Sequence, residues 1–230
     1  MVSLAAEPEG TGQVGGSELR SSLENQKDKR SDAMTEAEWL ACTDSQPMLE
    51  FLRGKASERK LRLFSCACHF RVWDRIPNED RRIILKLEQL ADGQATYQEL
   101  NRVYRKASGG IYDAPHFDDC ETALCDAWST ADKSDDPDAE AVAQAALLQC
   151  IFGNPFRPVK LRRAWLTWND STIPKLAQAI YDQRAFDRLP ILADALEEAS
   201  CTNADILNHC RQPGEHVRGC WVVDAILGKA

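Results

Sequence analysis

From Ser57 nearly to the C-terminus, apolar residues recur three and four positions apart, and no stretch alternates strictly between apolar and polar side chains. The first pattern lays a stripe along one side of a helix. The second is what a half-buried strand requires, so its absence confines the chain to an all-α fold. Leu61, Phe64, Cys68 and Val72 make one such stripe, and Leu63, Ala67, Phe70 and Trp73 widen it until little polar face is left. A helix from Ser57 to about Ile76 is therefore expected near the centre of the molecule. Ile83, Ile84, Leu87, Leu90 and Ala91 mark a second helix, stopped at Asp92-Gly93. The cleanest stripe runs through Ala139, Val142, Ala143, Ala146, Leu147, Cys150 and Ile151, behind a capping carboxylate and a first-turn proline at Asp136-Pro137. Thr35 to Glu38 and Thr96 to Glu99 both have capping-box spacing. Stripes at Ile173 to Tyr181 and Leu189 to Leu196, a short segment capped by Thr202 with Asp205, and Cys220 to Leu227 complete the set. The expected architecture is an irregular multi-helix bundle, with a short helix-pair stack in the C-terminal third as its minor variant.

Residues 1–33 carry Gly10, Gly12, Gly15 and Gly16, several Ser and Gln, and no aromatic side chain. So little apolar area does not offset the entropy of ordering a segment, so a disordered leader is expected, with the folded domain starting at Met34. The five residues Val2 to Ala6, followed at once by Glu7 and Glu9, are too short for the apolar core of a signal peptide. Phe152-Gly153-Asn154-Pro155-Phe156-Arg157-Pro158 cannot continue a helix, because its prolines lack the amide hydrogen and clash with the preceding turn. It separates residues 34–152 from 153–230, two helical parts expected to form one compact unit.

Charge is unevenly placed. Residues 53–86 hold ten basic and four acidic side chains, and residues 113–140 hold ten acidic and one basic. A basic block can face nucleic acid. With Glu58, Asp74, Glu79 and Asp80 interspersed and a formal net charge of −8, internal pairing with the acidic block is the preferred reading, and nucleic acid is disfavoured as a partner. The carboxylates from Asp132 to Glu140 lack the glycine and spacing of a calcium loop and are read as helix caps. No apolar run approaches the ~20 residues of a spanning helix, so no membrane is expected. Nine cysteines, an odd number without an export signal, point to free thiols in a reducing, cytoplasmic compartment.

Three constellations could carry chemistry. Cys201, Cys210, His216 and Cys220, with His209 adjacent, follow a C-x8-C-x5-H-x3-C spacing that supplies enough ligands for structural zinc, although the paired C-x2-C knuckle is missing. His216, Cys220 and Asp224 fall four apart and would share a helical stripe as a base, a nucleophile and an orienting carboxylate, provided the helix begins early enough to take in His216, which Gly214 and Gly219 oppose. Cys66 and Cys68 lie beside His69, but two residues apart on a helix point about 200° from each other, so these thiols cannot serve one metal. No phosphate loop, dinucleotide fingerprint or H-E-x-x-H occurs.

The remaining oddity is aromatic. Phe152, Phe156, Trp165 and Trp168 cluster around the proline-rich break, with Arg157, Arg162 and Arg163 close by. Either the break folds back onto the helices, or these side chains form a partner-binding face, since aromatics and arginine anchor interfaces. The segments MTEAEWLACTD from Met34, MLEFLRGKA from Met48, Lys60 to Phe64, IFGNPFRPV from Ile151, Trp165 to Trp168, Leu176 to Asp182, Phe186 to Leu196 and HVRGCWVVD from His216 span nearly 200 residues. On these segments the chain resembles a large paralogous family of bacterial proteins from planctomycete-type genomes. The resemblance implies a domain start at Met34 and no particular activity. The preferred functional reading is a non-enzymatic helical module without a cofactor that binds another protein through Phe156, Arg157, Trp165, Trp168 and Trp221. The alternative is a metal-dependent or cysteine-based enzyme centred on His216, Cys220 and Asp224.

Overall fold

In the computed structural model, which describes residues 34–109 and 120–229, every regular element is helical and no strand occurs among the described residues. The expected disordered leader over residues 1–33 lies outside the described residues. Among the described residues eleven α-helices follow one another: α1 (Glu36–Ala41), α2 (Ser45–Leu52), α3 (Glu58–Arg71), α4 (Asn78–Ala91), α5 (Tyr97–Ala107), α6 (Cys120–Asp132), α7 (Pro137–Phe152), α8 (Arg163–Gln183), α9 (Leu189–Glu198), α10 (Ala204–Arg211) and α11 (Trp221–Leu227), with 3-10 turns at Trp73–Arg75 and Phe186–Arg188. An all-α multi-helix fold is what the stripes specify.

Local signals act where they were read. Thr35 and Thr96 both close reciprocal capping boxes with Glu38 and Glu99, Ser57 caps α3, and Asp136 caps α7 ahead of Pro137. The short segment after residue 201 is capped one position later than expected: the Asn203 side chain, not Thr202, accepts from the Ile206 amide. A second departure lies inside α8. Asn169, Asp170 and Ser171 take left-handed φ values of 45°, 56° and 60°, so α8 is two helical runs joined at a turn. Asn and Asp tolerate that region through short polar side chains, and Pro174 falls in the first turn of the second run, where its missing amide costs nothing.

Helix α3 packs against α4, α6 and α7 through the buried run from Leu61 to Cys68, and carries Arg59, Lys60, Arg62 and Arg71 on its remaining face. Its Cys66 joins a core with Ile84, Leu87 and Leu100, while Cys68 joins another with Trp39, Met48 and Leu148, so the two thiols do face opposite ways. A third core is built from α8 to α11 and takes in Cys150 from the end of α7. The basic block is paired internally, as expected: Arg53 to Glu121 at 2.7 Å, Arg71 to Glu140 at 2.9 Å, and Arg75 to Asp135.

One close approach sets up the site described below. Gly153 ends α7 at φ 65°, ψ −141°, and a Cβ built on it would lie 2.9 Å from Trp221 Cγ. Bare backbone thus lets the indole at the start of α11 lie on the end of α7. Gly153→Ala combines a backbone conformation that costs a side-chain-bearing residue about 1–3 kcal/mol with that clash. We expect a loss of about 2 kcal/mol or more in urea unfolding, and a change below about 0.5 kcal/mol would refute this account.

Candidate metal centre

Four side chains from three separate parts of the sequence converge where α7, α10 and α11 meet. Cys150 lies in the last turn of α7, His209 in α10, His216 in the loop that follows, and Cys220 immediately ahead of α11. Their donor atoms all lie within 4.8 Å of one another. Cys150 Sγ is 3.5 Å from His216 Nδ1, and Cys220 Sγ is 3.3 Å from His209 Nε2. The two imidazole rings stand edge to face, with centroids 4.8 Å apart and planes at 87°.

The local backbone explains why these atoms meet. Cys220 donates its amide to the Val217 carbonyl in a tight turn that runs through Gly219 at φ 91°. That turn sits against α3 and α7, where a Cβ on Gly219 would meet Leu63 at 3.1 Å and Ile151 at 3.5 Å. Trp221, seated on Gly153, holds its ring 5.2 Å from that of His209. Two near-contacts of the backbone therefore draw one end of α11 down onto one end of α7.

The electrostatics are those of two thiols sharing a buried site. Burial opposes ionisation of Cys220. Hydrogen bonds from the Cys150 thiol and from the His209 and His216 imidazoles outweigh it and hold Cys220 well below the usual thiol range. Cys150 moves the other way, first because it donates to Cys220 and second because it is buried. His216 turns Nδ1 to Cys150, and its other ring nitrogen, Nε2, is buried without a hydrogen-bond partner among the described residues.

The donor set fits a four-coordinate transition metal. Bonds of about 2.0–2.1 Å to nitrogen and 2.3 Å to sulfur give tetrahedral edges of roughly 3.3–3.8 Å, and both nitrogen–sulfur contacts quoted above fall in that interval. Outside the four donors, Gln212 Nε2 is 3.3 Å from His209 Nδ1. Exchanging the amide oxygen and nitrogen of Gln212, which are interchangeable in shape, would let it accept from Nδ1–H when Nε2 holds a metal.

Several sequence expectations need correction here. Of the ligand set Cys201, Cys210, His216 and Cys220, only His216 and Cys220 belong to the centre. Neighbours on a helix point about 100° apart, so α10 can turn His209 or Cys210 toward the centre, but not both. It turns His209, and Cys210 is buried in the apolar core. Cys201 closes the end of α9, its amide donating to the Leu196 carbonyl. The place of the missing fourth donor is taken by Cys150, which stood in the sequence as an ordinary member of an apolar stripe. The His216, Cys220 and Asp224 stripe does not form, because α11 begins at Trp221 and His216 is in the loop. Asp224 instead turns its carboxylate to Arg59, at 2.6 and 3.1 Å.

The aromatic face is also rearranged. Trp165 is buried in the C-terminal core, and Trp168 and Trp221 pack against it as partly buried neighbours. Phe156 stacks on Phe51 with centroids 5.1 Å apart, and Arg157 pairs with Glu36 at 2.7 Å. The break at residues 153–158 thus folds back onto the helices, and of the five residues only Arg157 and Trp221 share a cavity. That cavity of about 440 Å³ is lined also by Glu36, Leu40, Asn154 and His209.

No protein-family model, no curated protein and no solved structure matches the chain.

Proposed function

We propose that the chain is a non-enzymatic helical module in which Cys150, His209, His216 and Cys220 form a structural clasp, and whose working part is a surface that binds another protein. The observation that carries this reading is that the four donors face one another inside the fold. Cys150, His209 and Cys220 are 3%, 7% and 0% exposed, and Asp224, the carboxylate that would orient a catalytic histidine, is bound to Arg59. A nucleophilic cysteine needs an accessible thiolate and a base held by a third group. Cys220 has the low pKa but neither the access nor the carboxylate.

Thiol labelling separates clasp from active site. In the native protein a maleimide probe should modify the exposed Cys125 promptly and leave Cys150 and Cys220 unmodified until denaturant is added. Labelling of Cys220 as fast as Cys125 would remove the clasp.

The binding surface is best placed at the cleft shared by Arg157 and Trp221, because Leu40, 57% exposed, adds an uncovered apolar side chain to its rim. Exposed apolar side chains beside an arginine suit a partner's mixed contact surface. The double variant Arg157→Ala with Leu40→Ser should keep the native unfolding midpoint and lose the proteins that the wild-type chain captures. An unchanged captured set would count against the cleft.

A further inference from the structure

We infer that the clasp is a zinc site, with Cys150 Sγ, His209 Nε2, His216 Nδ1 and Cys220 Sγ as its four ligands. This rests on the clasp reading and names what the clasp holds. The donors argue for zinc in three steps. Two thiolates with two imidazoles are a borderline-soft set that suits zinc and offers nothing to calcium or magnesium, which take oxygen. Four protein donors close the tetrahedron and leave no position for water or substrate, which is the arrangement of structural and not catalytic zinc. Finally, two thiolates neutralise a divalent ion, so the loaded centre carries no net charge into an interior where Cys150 and Cys220 are 3% and 0% exposed.

The surroundings supply what a loaded site needs outside its ligands. The Gln212 amide faces His209 Nδ1, where an outer-shell partner of a ligating imidazole belongs. The ligands also span the chain, with Cys150 at the end of α7 and the other three in residues 209–220. Such a site cannot form in an unfolded chain, so the ion's binding energy becomes folding energy and ties the C-terminal helices to α7.

The test uses the full chain purified without an affinity tag of histidines. Elemental analysis should give one zinc per chain. Replacement by cobalt should give the intense visible bands of tetrahedral cobalt together with thiolate-to-metal charge transfer in the near ultraviolet. Chelation should lower the thermal midpoint by roughly 10 °C, the shift that near-thousandfold saturation gives a domain of this size. Cys150→Ser, His209→Ala and Cys220→Ser should each lose stoichiometric metal, while Cys201→Ser and Cys210→Ser should retain it. The wild-type cobalt spectrum needs no variant to fold and therefore decides the matter if the ligand variants are insoluble. A chain that takes up neither zinc nor cobalt at equimolar concentration would overturn the inference. So would a weak octahedral cobalt spectrum, or metal lost on changing Cys201 or Cys210 and kept on changing Cys150. A metal-free chain whose Cys220 stays protected from maleimide would end the zinc site and leave the clasp standing. Rapid labelling of Cys220 would end the clasp, and with it the site assigned to it, even in a chain that carries metal.

Discussion

Replacing Arg59 by methionine is expected to destabilise the protein by about 3–5 kcal/mol at neutral pH, the cost of stripping one partner from a buried ion pair. Arg59 leaves α3 and reaches the last helix of the chain. Its Nη1 is 2.6 Å from one oxygen of Asp224, and its Nη2 is 3.1 Å from the other, 3.2 Å from Asp92 and 2.9 Å from the Tyr181 hydroxyl. Tyr181 in turn donates to Asp92 at 2.5 Å. The Asp92 side chain is wholly buried and that of Asp224 is 2% exposed. Methionine fills the volume of the stem and leaves both carboxylates inside, with Lys229, 3.5 Å from Asp92, the Tyr181 hydroxyl and the more distant charge of Lys60 compensating in part.

The loss has a pH signature. Burial outweighs Arg59 and holds the Asp224 carboxyl above its ordinary value of 3.8. Removing the guanidinium removes the main opposing influence and pushes it further up. A carboxyl with a raised folded pKa binds its proton preferentially in the native state, so the deficit of the variant shrinks as pH falls through that pKa toward 3.8. Urea unfolding of wild type and variant at pH 7.5 and 5 measures both effects. A deficit under about 1 kcal/mol, or one that does not change between the two pH values, would show that the Arg59 network is not the buried charge balance described here. Lysine at this position should recover little, since a point charge cannot bridge two carboxylates and a phenol.

Arg59 and Asp224 also show where sequence reasoning stops. Caps and stripes are local: Thr35 with Glu38, Ser57 with Lys60, and Asp136 with Ala139 are decided within one turn, and each was legible. A stripe also tells which side chains turn inward, which is why Cys66 and Cys68 could be assigned to opposite faces. It does not tell which inward face meets which. Asp224 was legible only as a neighbour of Cys220, and its real partner lies 165 residues away. The centre divided in the same way. His216 and Cys220 stood out because two ligand types fall close together. Cys150, 59 residues before His209, has no spacing to mark it and reads as one more small apolar residue. The choice between His209 and Cys210 turns on the rotation of α10, which is set by packing against α9 and not by anything within Ala204–Arg211. The one signal that singles out Cys150 is its position in the turn before a helix-ending glycine, where α7 has to meet another element.

The largest loss from a single apolar truncation is expected at Trp39→Ala, about 3–5 kcal/mol, and it follows from that same end of α7. Trp39 is completely buried although it comes from a helix of only six residues near the start of the described chain. Its ring packs against Phe51 at 6.0 Å between centroids, and its indole Nε1–H donates to the Gly153 carbonyl at 2.8 Å. The carbonyl of Trp39 accepts from Gln149 at 3.0 Å, and Lys60 reaches the Ile151 carbonyl at 2.8 Å. The last carbonyls of a helix have no partners of their own, so the indole and Lys60 do for α7, and Gln149 for α1, what a longer helix would have done. Two variants separate the parts. Trp39→Phe keeps most of the buried area and orphans the Gly153 carbonyl, an expected loss of about 1–3 kcal/mol. Trp39→Ala adds a cavity, and equilibrium urea unfolding should then show the full loss with the slope of the transition unchanged. Equal losses for the two variants would mean that the hydrogen bond, not the packing, anchors α1. A loss below about 1 kcal/mol for alanine would mean that α1 is not part of the cooperative fold at all. If α1 is such an anchor, loosening it frees the turn of α7 that carries Cys150, so Trp39→Ala should also lower the concentration of chelator needed to strip the clasp.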